Sequence, residues 1–511
     1  QRERGSANAL PPLYFLHVWW ARRPLVVSRA AVLGSLLPAW GDDAPDRLRE
    51  RFADEAAYRR WFLHLCGVRG DPAAARRLLA EARAKGTRIS NPYDGPRAFN
   101  VSPSADDLEA LHDLLAVTWG EAPIVLDPMA GGGSIPFEAL RCGLITYANE
   151  LNPVATVVLK ATLDYPARYG RKLAHAIEAW GQRWCDVALP LLRPYFTPLP
   201  DKGADGAAYL WARTVACPDT GKPVPLSPNW RLSSDEAVRL QVDEAWDAPR
   251  FEILKRPYPQ GFDPDDGTVS RGTGLSPWTG AAIDGDYIKA EAQAGRMGQM
   301  LYAVAIKRPG GMAFRTPTDE DLQAVAAAEA ALAERLPRWL AQGIVPTEEF
   351  PKDGNDLRPI TYGMPYWRDM FAPRQLLALG TFVETLRDLR PAMMAELGEE
   401  LGEAAFVYLS IAFDKAADYN ATLCTWHPSR TVIAHTFSRH DFALAWTFPE
   451  FDASGNLLPW GLDQVTDAYT ELAKLARRPR TGLGEERMAR RPVHLTQGSA
   501  ARLAGYPDGG L

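Results

Sequence analysis

Apolar residues follow two rhythms along this chain. Over residues 1–115 they recur at three- and four-residue spacing, which predicts helices over 26–37, 47–68, 72–85 and 106–119. At 124–126 the rhythm gives way to a short unbroken run, Ile124-Val-Leu, which reads as a buried strand. A glycine turn and a helix follow, then a second short strand over 145–148 and a further helix from Pro153. Helical spacing returns over 172–192, 319–341, 374–399, 404–418 and 462–477. Between these helices, about 200–310, lies a Gly/Pro/Asp-rich stretch of short strands and turns. A last short strand with a glycine turn recurs at 493–500. The pattern divides the chain into regions 1–115, 116–166, 167–200, 201–315, 316–490 and 491–511. The expected class is α/β: a strand–helix–strand unit interrupted by a large, mostly helical insertion with a small β-rich part.

The most specific chemistry lies in Asp127-Pro-Met-Ala-Gly-Gly-Gly-Ser-Ile-Pro136, between the first strand and its helix. Gly131 and Gly133 lack a Cβ, so the backbone turns sharply there and approaches a ligand closely. Ser134 is expected to cap the helix, and Pro136 falls in its first turn, where a missing N–H costs nothing. Glu150 ends the second strand, nineteen residues beyond Gly131, where an acidic side chain accepts hydrogen bonds from ribose hydroxyls. Pro136 replaces the third glycine of the dinucleotide fingerprint, which weakens a pyrophosphate reading. The arrangement describes a nucleoside cradle at the carboxyl edge of a parallel sheet.

Length and composition bound the rest. A chain of 511 residues is too long for one core and divides into about three or four units. No run of eighteen apolar residues occurs, so no membrane span or membrane partner is expected. No hydrophobic leader opens the chain, and five widely spaced cysteines fit a reduced, cytoplasmic setting better than a disulfide framework. The first residue is Gln1 rather than Met, from which a fragment of a longer product is expected. The net charge of −6 makes no global case for nucleic acid. Basic residues do cluster: Arg22-Arg23 near the start, and Lys474, Arg477, Arg478, Arg480, Arg487, Arg490 and Arg491 near the end. Such runs are either solvated faces or phosphate contacts. Arg22, Arg23, Arg477 and Arg478 are the candidate DNA-binding residues.

Cys217-Pro-Asp-Thr-Gly221 and Ser276-Pro-Trp-Thr-Gly280 form a pseudo-repeat within the β-rich stretch. Paired Cys-Pro-x-Cys-Gly knuckles at this separation make a zinc ribbon. Here Thr220, Ser276 and Thr279 occupy three of the four ligand positions, and hydroxyls are poor zinc ligands. The region is expected to keep the shape of a ribbon without its metal.

Further segments stand out: Leu16-His-Val-Trp-Trp-Ala-Arg-Arg-Pro-Leu25, Glu150-Leu-Asn-Pro-Val-Ala155, Tyr287-Ile-Lys-Ala, Ala294-Gly-Arg-Met-Gly298, Tyr362-Gly-Met, Phe371-Ala-Pro-Arg-Gln-Leu-Leu-Ala378, Asp418-Tyr-Asn-Ala-Thr-Leu-Cys-Thr-Trp-His-Pro428 and Gln497-Gly-Ser-Ala500. Together with Asp127 to Pro136 they resemble the large prokaryotic adenine-specific DNA methylases with an inserted zinc-ribbon region, found in restriction and phage-defence clusters. Asp-Pro-Met-Ala-Gly-Gly-Gly-Ser with Glu138-Ala139 also resembles the S-adenosylmethionine loop of amino-methyltransferases. The resemblance implies a Rossmann-like methyltransferase sheet, S-adenosylmethionine as cofactor, DNA as substrate and defence-system proteins as partners. It makes 116–166 the cofactor half, 201–315 a degenerate ribbon, 316–490 a helical insertion for target recognition and 491–511 the start of the catalytic half.

The implied cofactor residues are Asp127, Pro128, Ala130, Gly131, Gly133, Glu150, Asn152 and Ser499. Asn152 is either an adenine or ribose neighbour or a turn-former, and Ser499 either contacts the adenine amine or belongs to a plain turn. His17, Trp19, Trp20, Arg22 and Arg23 either close over the methionine end, touch DNA phosphate or, for the tryptophans, pack in the core. Such enzymes methylate an exocyclic base amine, held by an Asp/Asn-Pro-Pro-Tyr motif on an extruded base. No such tetrapeptide occurs in the 511 residues, so the catalytic motif is expected beyond Leu511 and no methyl transfer is expected from this chain alone. No metal ligands are assigned. The alternatives are a non-catalytic cofactor- or DNA-binding subunit, and a methyltransferase acting on RNA bases.

Overall fold

A computed structural model describes residues 3, 10–19, 21–93, 95–121, 123–198, 206–438, 442, 444–476 and 492–503. The protein is mixed α/β and divides into two compact units. The first comprises residues 1–179, 393–411 and 463–511, the second 180–392 and 412–462.

Most predicted helices form within a few residues of their expected bounds, among them Leu25–Leu36, Pro72–Ala84, Ala105–Trp119 and Asp319–Ala341. The helix expected over 47–68 is instead two, Asp46–Arg51 and Glu55–Leu65. Asp54 breaks it: its carboxylate accepts the Ala57 N–H and caps the second helix. The helix Ala105–Trp119 opens on a capping box, in which Ser104 and Asp107 each bond the other's backbone N–H.

In the first unit, Val125–Asp127, Thr146–Glu150 and Val493–Gln497 form a parallel three-stranded sheet with Thr146–Glu150 at its centre. Asp127 pairs with Ala148 and Gln497 with Glu150, so all three carboxyl ends emerge at one edge. Beside it, Val32, Leu33, Leu65, Leu108, Leu111, Ala139 and Leu144 make one buried cluster. That cluster seats the helices Leu25–Leu36 and Ser134–Arg141 together.

The second unit holds a five-stranded antiparallel sheet. Ala207–Ala216 lies inside it, flanked by Gly298–Arg308 and Thr447–Phe451, with Gly311–Arg315 beyond Gly298–Arg308 and Pro223–Leu226 pairing one end. The division expected at residue 315 therefore runs through one sheet. Thr447–Phe451, inside the stretch expected to be helical, pairs with Ala208–Ala212. A buried ion pair fastens it: Glu450 takes two hydrogen bonds from Arg374, at 2.8 and 2.7 Å, and a third from Trp211 Nε1 at 2.8 Å. Arg374, within the segment 371–378 quoted for the resemblance, is thus a packing residue, sandwiched against Phe196 and Tyr209.

The two knuckles are real and equivalent. Cys217 N–H bonds Lys222 O while Gly221 N–H bonds Cys217 O; Ser276 N–H bonds Ala281 O while Gly280 N–H bonds Ser276 O. The turns bring Cys217 Sγ within 3.2 Å of Ser276 Oγ. Burial raises the Cys217 thiol, but hydrogen bonds from Ser276, Thr220 and the Thr220 and Asp219 N–H groups outweigh it and bring it below its ordinary value. Hydroxyls and backbone amides thus hold the turns together.

Candidate functional site: the glycine loop at the sheet edge

The strand Val125–Asp127 delivers Asp127 to the sheet edge, where its Oδ1 accepts the Met129 N–H at 3.2 Å. Burial, reinforced by the nearby charge of Glu150, pushes the Asp127 carboxyl up against that hydrogen bond. The chain then turns through Gly131 at φ +53° and Gly133 at φ +81°, left-handed values that favour glycine. Gly133, not Ser134, occupies the cap position of the helix Ser134–Arg141. Ser134 is instead the first helical residue and is buried, so it makes no side-chain cap.

Glu150 closes the loop from the second strand. Its Oε2 accepts the Gly131 N–H at 2.7 Å, and its Oε1 accepts the Leu151 and Asn152 N–H groups at 2.9 and 3.1 Å. A carboxylate offers about four acceptor positions, so roughly one remains for a hydroxyl from outside. Asn152 is committed to structure: its Oδ1 accepts the Val154 and Ala155 N–H groups and caps the helix Pro153–Leu159. Pro128 O accepts from Asn149 Nδ2, and Ala130 N–H bonds Asn149 O, so both positions shape the loop.

Ser499 lies past the end of Val493–Gln497, where its Oγ accepts the Ala501 N–H at 3.3 Å in a turn. Sequence reasoning missed Asn149, which stitches this edge together. It is 2% exposed, donates to Pro128 O at 3.1 Å and Gly498 O at 2.9 Å, and accepts from Thr496 Oγ1 at 2.8 Å. The available signal was an amide side chain at the carboxyl end of a predicted strand, next to Glu150.

The basic candidates separate. Arg22 is 3% exposed and donates Nη1 to Gly132 O at 2.8 Å and Nη2 to His17 O at 3.2 Å. Its guanidinium props the glycine loop, which corrects the phosphate-contact reading. Arg23 is exposed. Arg477 and Arg478, like Trp20, lie outside the described residues. Trp426 packs in the core with its Nε1 donating to Leu232 O. Among the described residues no group of three or more His, Cys, Asp or Glu side chains is arranged to hold a metal ion. No described helix is long and apolar enough to cross a membrane.

The edge can do one kind of chemistry from these residues. It presents backbone that a ligand can approach, one acidic acceptor aligned with it, and a second acidic group and a hydroxyl at the neighbouring strand ends. Against known proteins, a family model described as a protein of unknown function, DUF1156, matches residues 1–63. No curated protein and no solved structure matches the chain.

Proposed function

We propose that the glycine-loop edge binds S-adenosylmethionine and that the protein belongs to a Rossmann-like DNA methyltransferase acting on the N6 amine of adenine in restriction or phage defence. The observation that carries the cofactor part is the Glu150 carboxylate held on Gly131 N–H at the carboxyl edge of three parallel strands. Glu150 would take a ribose hydroxyl on its remaining lone pair. Gly131 and Gly133 would admit the nucleoside and its 5′ substituent, with Asp127 and Ser499 beside them. The bound cofactor supplies an electrophilic methyl group. The adenine target, DNA and defence-system partners rest on the sequence resemblance.

A non-catalytic cofactor- or DNA-binding subunit is the second reading, since the Glu150 carboxylate on Gly131 N–H accounts for binding by itself. The first test is calorimetric titration of the chain with S-adenosylhomocysteine. Binding that weakens about tenfold or more in Glu150→Gln supports the cradle, since a hydrogen bond to a charged group contributes about 1.5–3 kcal/mol. No binding by the wild-type chain refutes it. Tritium transfer from labelled cofactor to plasmid DNA then separates the enzyme from the binding subunit.

A further inference from the structure

The helix Pro72–Ala84 of the first unit presents an uncovered basic face. Asp71 caps it, accepting the Ala73 and Ala74 N–H groups, and Gly86 at φ +65° follows its end. Only Ala75 and Ala82 of the helix are buried, seven residues apart on one line. At about 100° per residue, Ala73, Ala80 and Ala84 form a second line on the far side. Arg76 and Arg83 flank that line on one side and Arg77 on the other. All six of these residues are exposed. The result is a low floor of alanine methyl groups between arginines. Seven residues set Arg76 and Arg83 about 10 Å apart along the axis.

These cations lack the compensation found elsewhere in the unit. Exposed Arg47 pairs with Asp113 and Glu50, and Arg59 with Glu55. Arg76, Arg83 and, just past the helix, Lys85 and Arg88 have no ion pair among the described residues. Arg77 feels the field of Asp71, whose Oδ1 the Ala73 and Ala74 N–H groups already engage. Glu81 is the single acid of the helix. Residues 59–93 carry eight Lys/Arg against Asp71 and Glu81, in a chain whose net charge is −6. Like charges held together raise the free energy of the bare surface, and a polyanion removes that cost.

We propose that this face binds the phosphate backbone of double-stranded DNA without regard to sequence. Guanidinium groups take phosphates through paired, charge-assisted hydrogen bonds. A single strand needs aromatic platforms for its bases, and the residues between these arginines are alanines. An RNA duplex is recognised through its 2′-hydroxyls as well, to which alanines offer nothing. The surface stands apart from the cofactor reading: duplex binding without S-adenosylhomocysteine binding would keep it and lose the cradle.

The test is fluorescence anisotropy of the full chain with a labelled DNA duplex of about 30 base pairs and arbitrary sequence, between about 50 and 300 mM NaCl. Each phosphate contact adds about 0.9 to the slope of log affinity against log salt. The variant Arg76→Gln, Arg77→Gln, Arg83→Gln should therefore be shallower by about 2.7, and each single variant by about 0.9. At about 50 mM salt the triple variant should bind about tenfold or more weakly. Gln sustains a helix, so the variants should melt with the wild type. A control, Arg250→Gln, Lys255→Gln, Arg256→Gln, removes the same charge from exposed positions of the second unit and should bind as the wild type does. Equal losses in both triple variants would mean that net charge alone acts and would overturn the proposal. So would a wild-type chain that binds no duplex at low salt, or that binds a single strand or an RNA duplex of the same length as tightly. Binding to phosphatidylserine-containing phosphatidylcholine vesicles in place of the duplex would overturn it too.

Discussion

Replacing Glu138 by Gln should destabilise the first unit far more than its conservative shape implies. Glu138 is completely buried between two buried arginines. Arg29 donates Nε to Glu138 Oε2 and Arg141 donates Nη1 to Oε1 at 2.8 Å. Carbonyls take part of the remaining load: Arg29 Nη1 reaches Leu65 O at 3.0 Å and Val101 O at 2.8 Å, and Arg141 Nη2 reaches Val101 O at 3.1 Å. Burial opposes the charge on both guanidinium groups. Glu138 more than offsets this at Arg29, whose pKa is raised, but not at Arg141, whose pKa is lowered. The trio already holds one more positive than negative charge, so a neutral Gln leaves two buried cations facing each other. Breaking a buried pair costs about 3–5 kcal/mol.

Hydrogen exchange is the assay, because a chain of two units need not unfold in one step. Amides of the helices Leu25–Leu36 and Ser134–Arg141 should exchange about two to three orders of magnitude faster in Glu138→Gln, up to the limit set by unfolding of the whole unit. The triple variant Arg29→Met, Glu138→Leu, Arg141→Met removes every charge at similar volume. It should lie between neutral and about 4 kcal/mol more stable than wild type. A Glu138→Gln variant within about 1 kcal/mol of wild type, or a triple variant that falls as far as Glu138→Gln, would refute the reasoning.

Other substitutions test separate parts of the fold. Gly133→Ala puts a Cβ at φ +81°, 2.9 Å from Leu159 Cδ2, and should lower stability by about 1–2 kcal/mol in thermal melts and weaken cofactor binding. Burial raises the Asp321 carboxyl, but hydrogen bonds from Arg315, Thr197 and Thr318 outweigh it and hold it at about 2. A depressed acid contributes stability above its unfolded pKa and loses it as pH falls. Asp321→Asn should therefore be about 2 kcal/mol less stable at pH 7, and its curve should converge with wild type between about pH 4 and pH 2. The knuckle turns place Cys217 beside Ser276, so Thr220→Cys, Ser276→Cys and Thr279→Cys together should bind one zinc per chain by elemental analysis. The wild-type chain should carry near none; zinc in the wild type, or none in the triple variant, would show that the turns do not keep ribbon geometry.

The legible parts of the sequence are those whose chemistry is local. The strand–turn–helix at 125–141 announces itself because Gly131, Gly133 and Pro136 each answer to backbone rules that act within a few residues. The knuckles are legible for the same reason: Thr-Gly after Cys-Pro or Ser-Pro specifies a turn wherever it falls. The long sheet of the second unit is not legible. Ala207–Ala216 is buried on both faces, so it shows no alternation, and its partner Thr447–Phe451 carries Glu450 and Pro449. Only the meeting of Trp211 and Arg374 with Glu450 makes that acid a buried residue, and Trp211 and Glu450 stand 239 positions apart. Arg22 misleads in the same way. A basic pair next to tryptophans suggests phosphate, yet its acceptor is a carbonyl 110 positions away.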